Sequence, residues 1–160
     1  MKRRSLRVTM WLGVTGMAAV IFIMSAQTGE ASTASSDTIV LPLLRLIRRI
    51  QGLSAEEADA MYWTLQLIVR KAAHMGEYAL LALMIRVLAA SYGCRRPGFL
   101  GWTLAVLYAI TDELHQSLVS ARSAQFSDVL VDASGAQLGV AAAWLTGKLR
   151  AAFHHSKEEP

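Results

Sequence analysis

Charge is scarce in this sequence. Of its 160 residues only 18% are Asp, Glu, Lys or Arg, and 54% are hydrophobic, with a mean hydropathy of +0.36; a soluble domain averages roughly 25% charged residues. That balance excludes a disordered chain and disfavours a soluble enzyme. Cysteine occurs once, at Cys94, which excludes an intramolecular disulfide and a thiolate zinc cluster. With three prolines, eleven glycines and no internal repeat, nothing suggests a linker, a collagen-like tract or a solenoid. A basic run interleaved with aromatics is also missing. The formal net charge is +4 and the pI about 9.6, but Lys and Arg stand at the ends of apolar stretches, which favours anionic lipid over nucleic acid as counterpart. The expected fold class is all-α: an integral membrane four-helix bundle with an additional amphipathic surface helix, in one domain over residues 1–150 and a cytoplasmic tail over 151–160.

What is abundant is uninterrupted apolar chain. From Val8 to Gly29 no residue is charged, a length that crosses the hydrocarbon core. Lys2, Arg3, Arg4 and Arg7 precede it, as in a signal peptide, but the apolar part exceeds an ordinary h-region and no A-x-A site follows, so a retained anchor is expected. Spans are expected at about 8–27, 72–93, 98–119 and 127–147. The last three carry ionisable groups, which a bundle can turn inward, away from lipid. The basic N-terminus, Arg95-Arg96 and the Lys148, Arg150, Lys157 tail fall on one side of this arrangement, predicted to be cytoplasmic in a bacterial plasma membrane.

The long segment between the first two spans has a polar start, Thr28 to Asp37, and then Leu43, Leu44, Leu46, Ile47 and Ile50 interleaved with Arg45, Arg48 and Arg49. This pattern predicts an amphipathic helix on the bilayer surface, its arginines binding lipid phosphates. Gly52 is expected to stop it. Ser54-Ala55-Glu56-Glu57 has capping-box spacing, predicting a new helix that runs on into the second span.

Assigning depth brings the ionisable residues together. His74 and Glu77 lie near the start of a descending helix, Asp112 to Gln116 near the end of an ascending one, and Asp128 and Asp132 near the start of the next descending one. All fall toward the outer leaflet. Phase agrees: Arg70, His74, Glu77 and Tyr78 share one stripe; Tyr108, Asp112, His115 and Gln116 share another, with Glu113 to the side. Asp128, Asp132, Gly135 and Gly139 share a face, and the glycines form a G-x-x-x-G pattern that permits close backbone approach. Unpaired charge at this depth is expensive, so pairing with Arg70, Lys71, Arg122 or histidine is expected. Two readings remain open: a reactive cleft, and a buried polar network that orients the helices.

These residues resemble the VanZ-like family of small integral membrane proteins, named for a protein associated with resistance to the glycopeptide teicoplanin. Arg70-Lys71-Ala72-Ala73-His74-Met75-Gly76-Glu77-Tyr78 is similar to its R-K-x-x-H-x-x-E-Y signature. Thr111-Asp112-Glu113-Leu114-His115-Gln116 is similar to its D-E-x-H-Q block, and Arg122-Ser123 through Asp128, Asp132, Gly135 and Gly139 follows its R-S…D…D…G…G run. Ser25-Ala26-Gln27 resembles a weaker S-x-Q signature. Ser120-Ala121 stands where the family often has Pro-Gly, and Ala124 where glycine is frequent. The resemblance implies a multi-helix protein of the cell envelope without supplying an established reaction, and resistance is one context's phenotype, not an activity.

Three functions follow. In the first, the protein binds or modifies an amphiphilic membrane lipid or lipid-linked cell-wall precursor at the outer face of the membrane. Arg70, Lys71, Tyr78, Gln116 and Arg122 would bind the ligand, and His74, Glu77, Asp112, His115, Asp128 and Asp132 would carry catalysis and proton transfer. In the second, the same network serves a noncatalytic module that binds lipid or a partner envelope protein. The weakest is a metal-assisted hydrolase; no residue is assigned as a metal ligand, and the pattern identifies no cofactor. A proton-coupled transporter finds no inverted repeat.

Overall fold

The computed structural model describes residues 2–119 and 125–155. Its elements are α1 (Lys2–Ser25), α2 (Gly29–Gln51), α3 (Ala55–Ser91), α4 (Pro97–Gln116) and α5 (Phe126–His155); no strand occurs among the described residues. Three helices are long and apolar enough to cross a membrane: α1, α3 and α5. The fourth expected span, α4, has 20 residues but does not reach that apolarity, because Asp112 and Glu113 dilute its last turns. Large apolar side chains such as Leu12, Ile23, Leu107, Leu130 and Trp144 point outward, as lipid-facing surfaces require.

The centre of the molecule is α3, which packs against all four other helices. Tyr78, Leu81, Ala82 and Ile85 of α3 are buried together with Ile21, Ala105, Ala109 and Ala136 of its neighbours, so its core partners are mostly small. Small residues matter because lipid offers no hydrophobic drive between helices, so close van der Waals contact must hold them. A Cβ added at Gly135 would collide with the Met75 backbone, and one at Gly139 with that of Ala79. At Gly101 it would stand 2.6 Å from the Ala82 carbonyl oxygen. The glycine pair thus seats α5 directly on α3, as the G-x-x-x-G spacing predicts.

Polar ties set the order of the helix ends. Arg7 donates to the Ser91 carbonyl at 2.6 Å and lies 4.3 Å over the Tyr92 ring, fixing the start of α1 beside the end of α3. Tyr108 donates to the Ala18 carbonyl at 2.7 Å, and Trp102 to the Ala133 carbonyl at 3.2 Å. The end of α1 therefore meets the end of α4.

Gly52 ends α2 with φ 66, its N–H donating to the Arg48 carbonyl, a left-handed conformation that glycine adopts freely. Ser54 then caps α3: Glu57 N–H donates to its Oγ at 3.3 Å, and its own N–H donates to Glu57 Oε2 at 2.8 Å. From there α3 runs unbroken for 37 residues, about 55 Å, well beyond a hydrocarbon core of about 30 Å. The additional helix is longer than the sequence pattern indicated. It begins at the polar stretch, with Thr28 as N-cap, and pairs with the first half of α3 instead of standing alone. Ser32, Ser36 and Val40 are buried on one side of this hairpin, and Ala58, Leu65 and Gln66 on the other. Ser54→Ala removes one arm of the capping box and is expected to lower stability by about 1 kcal/mol, read by thermal unfolding in detergent; an unchanged midpoint would mean the hairpin turn is held elsewhere.

Candidate functional site

The seam that seats α5 on α3 also aligns their polar residues. Asp132 lies one turn before Gly135, and His74 adjoins Met75, the residue Gly135 meets. His74 Nδ1 consequently stands 3.5 Å from Asp132 Oδ1, whose side chain is only 3% exposed. That separation suits an ion pair when the imidazole is protonated. One turn toward the helix ends, Lys71 Nζ lies 2.5 Å from Asp128 Oδ1, both about a third exposed. Two of the expected pairings are thus present, one buried and one near the surface.

Asp112 is held differently. It is 4% exposed, and its Oδ2 accepts hydrogen bonds from Ser25 Oγ at 2.7 Å and Gln116 Nε2 at 3.0 Å. Gln116 Nε2 also donates to Ser25 Oγ at 3.1 Å. A hydroxyl and an amide thereby hold the carboxylate and bind the end of α1 to the end of α4. His74 meets Asp132, and the Tyr78 ring lies 6.4 Å from that of Tyr108, one turn before Asp112, so α3, α4 and α5 deliver their polar groups to one locality.

Tyr78 OH and Asp112 Oδ1 are buried within reach of each other, and Asp132 Oδ1 has only His74 at 3.5 Å; none of these three oxygens makes a hydrogen bond of ordinary geometry among the described residues. Each comes from a different helix. Native interiors satisfy nearly all such atoms, and exceptions call for a bound water, a ligand or a catalytic role. A histidine within reach of a buried carboxylate, with Glu77 half-buried nearby, is suited to accept and return a proton. Among the described residues no three His, Cys, Asp or Glu side chains come close enough to share a metal ion, which leaves the metal-assisted reading without a ligand set.

The remaining expected residues are placed less centrally. His115 is tilted against the Phe22 ring of α1, centroids 4.4 Å apart, and its buried Nε2 has no hydrogen bond among the described residues. No contact joins it to His74. Arg70 lines a groove with Glu30, Asp37 and Trp63, toward α2, and pairs with none of the site carboxylates. Arg122 lies outside the described residues.

Glu113, off the Asp112 stripe, is nevertheless buried. Placed to the side by the sequence pattern, it is 7% exposed, and its Oε1 accepts the Gln125 N–H at 2.6 Å, fixing the chain as it enters α5. Ser25 was visible only as part of a weak motif, yet it is 2% exposed and holds Asp112.

Comparisons with curated proteins and with solved structures found no match. The model of the VanZ/LLP1 family matches residues 10–147, a stretch that takes in all of α3 and most of α1 and α5, the glycine seam and every polar residue of the site. By that match over most of its length, the chain belongs to the VanZ/LLP1 family of membrane proteins.

Proposed function

We propose that the protein binds and modifies an amphiphilic lipid or lipid-linked cell-wall molecule at the outer face of a bacterial plasma membrane. In this reading α1, α3, α4 and α5 all cross the bilayer, both termini are cytoplasmic, and the polar locality opens toward the outer leaflet. The observation that carries it is the meeting of buried Tyr78, Asp112 and Asp132, from three helices, with His74, their oxygens left without a hydrogen bond of ordinary geometry among the described residues. Lys71, paired with Asp128 at the surface end, meets a headgroup phosphate. His74, oriented by Asp132, and Glu77 move the proton of an attacking water or hydroxyl. Altered sensitivity to glycopeptides such as teicoplanin follows, in this reading, from the changed envelope composition.

The test is a lipid and cell-wall precursor profile of cells carrying the intact protein beside cells carrying Glu77→Gln. Loss of one acid–base group lowers turnover about 10²-fold or more, so one precursor class should accumulate. An unchanged profile with a well-folded variant would remove the catalytic reading. The saturation of Asp112 Oδ2 by Ser25 and Gln116 favours a second reading, a noncatalytic module that binds lipid or docks an envelope protein. Purified protein incubated with radiolabelled envelope lipids separates the two: product lost in His74→Ala supports catalysis, and binding without product supports the module.

A further inference from the structure

Along the upper seam between α2 and α3 runs an open groove of about 510 Å³, lined by Glu30, Thr33, Asp37, Trp63 and Arg70 among others. Its charges are of both signs and remain separate. Arg70, half-buried, forms no ion pair or hydrogen bond among the described residues, although two carboxylates share its groove. The reason is that Asp37 is pinned. Its Oδ1 accepts hydrogen bonds from Tyr62 OH at 2.9 Å and from Gln66 Nε2 at 2.6 Å. Gln66 is 1% exposed and also bonded to Tyr62 OH at 3.1 Å. A carboxylate held by two donors, one of them the buried Gln66, does not swing toward the guanidinium, and the space between them stays open.

A simple anion in this groove would meet Arg70 but face Glu30 and Asp37; a simple cation would face the reverse. We infer that the groove binds a zwitterionic headgroup carrying a phosphate and a primary amine, of the phosphoethanolamine type, with phosphate on Arg70 and ammonium between Asp37, Glu30 and the Trp63 face. A primary ammonium supplies N–H donors to the carboxylates, which a quaternary one lacks, and Trp63, 57% exposed, offers a cation–π surface to it. Arg70 is one turn before His74 on the same helix, so a headgroup held here lies at the approach to the polar locality. This inference rests on the reading above only in taking the ligand to be a membrane amphiphile.

The full-length protein in detergent is titrated with short-chain phosphatidylethanolamine, phosphatidylcholine and phosphatidylglycerol, and with free phosphoethanolamine as competitor. Phosphatidylethanolamine should bind at least tenfold more tightly than the other two lipids. Asp37→Asn retains an oxygen for Tyr62 and Gln66, and Trp63→Ala alters an exposed position, so both should fold; each should weaken that binding about tenfold and leave phosphatidylglycerol unaffected. Competition by free phosphoethanolamine would assign recognition to the headgroup alone, and its failure to compete would assign it to the lipid. Equal binding of phosphatidylglycerol, or phosphatidylethanolamine binding indifferent to both substitutions, would overturn the inference. A Glu77→Gln profile that still changes would then leave the catalytic reading standing; selective binding with an unchanged Glu77→Gln profile would leave the groove and remove catalysis.

Discussion

Gly139→Val is expected to separate α5 from α3 and to lower stability by about 3 kcal/mol. The added Cβ would run into the carbonyl group of Ala79, and main chain, unlike the far end of a flexible side chain, cannot turn aside. The helices must move apart along the most extensive contact in the molecule. Asp132, two turns earlier on α5, would then leave His74, so function and stability fall together. Gly76→Ala and Gly147→Ala provide the controls: neither added Cβ would meet anything within 4 Å, and alanine favours a helix over glycine by roughly 0.5–1 kcal/mol. Unfolding midpoints in mixed micelles should fall for Gly139→Val and hold or rise for the controls. A valine variant as stable as the parent would mean that the two helices are not seated backbone to backbone.

Asp112 should separate structural from chemical contributions. Asp112→Ala leaves the Ser25 hydroxyl and the Gln116 amide without their shared carboxylate, deep between α1 and α4, and is expected to lower stability by about 2–4 kcal/mol. Asp112→Asn keeps an oxygen for both donors and should stay within about 1 kcal/mol of the parent, while replacing the other carboxylate oxygen by an amide nitrogen. If that oxygen faces the ligand, the asparagine variant folds and reproduces the Glu77→Gln precursor profile. A folded asparagine variant with the parental profile would restrict Asp112 to holding helices. The two measurements are thermal unfolding in detergent and the precursor profile in cells.

Much of this arrangement was legible because it is local. An uncharged run long enough to span a bilayer, a glycine followed by a capping box, and polar residues repeating at helical spacing declare themselves within a few residues of one another. Burial of Glu113 does not. At about 100° from Asp112, it belongs to a second face of α4, and only the arrival of Gln125 at the start of α5 makes that face an interior one. Ser25 is equally silent: a hydroxyl at the end of an apolar helix means little until Asp112 stands opposite. Arg70 shares the His74 stripe in phase, but the pairing of α2 with the upper half of α3 draws it into a different groove. Long-range placement, not composition, decided each of these.

Because α3 is one continuous rod, its residues keep a common angular register from the hairpin tip to the opposite end. Trp63, Arg70, His74, Glu77, Met75 and Ala79 all sit on that rod. Adding or removing a single residue between Gln66 and Arg70 would rotate everything above it by about 100° relative to everything below, turning Trp63 and the α2 hairpin away from Arg70 and the proton-handling groups. Length variation is therefore tolerable at the Gly52 turn and forbidden in mid-helix, and any tilt imposed on the hairpin is felt as torque at His74.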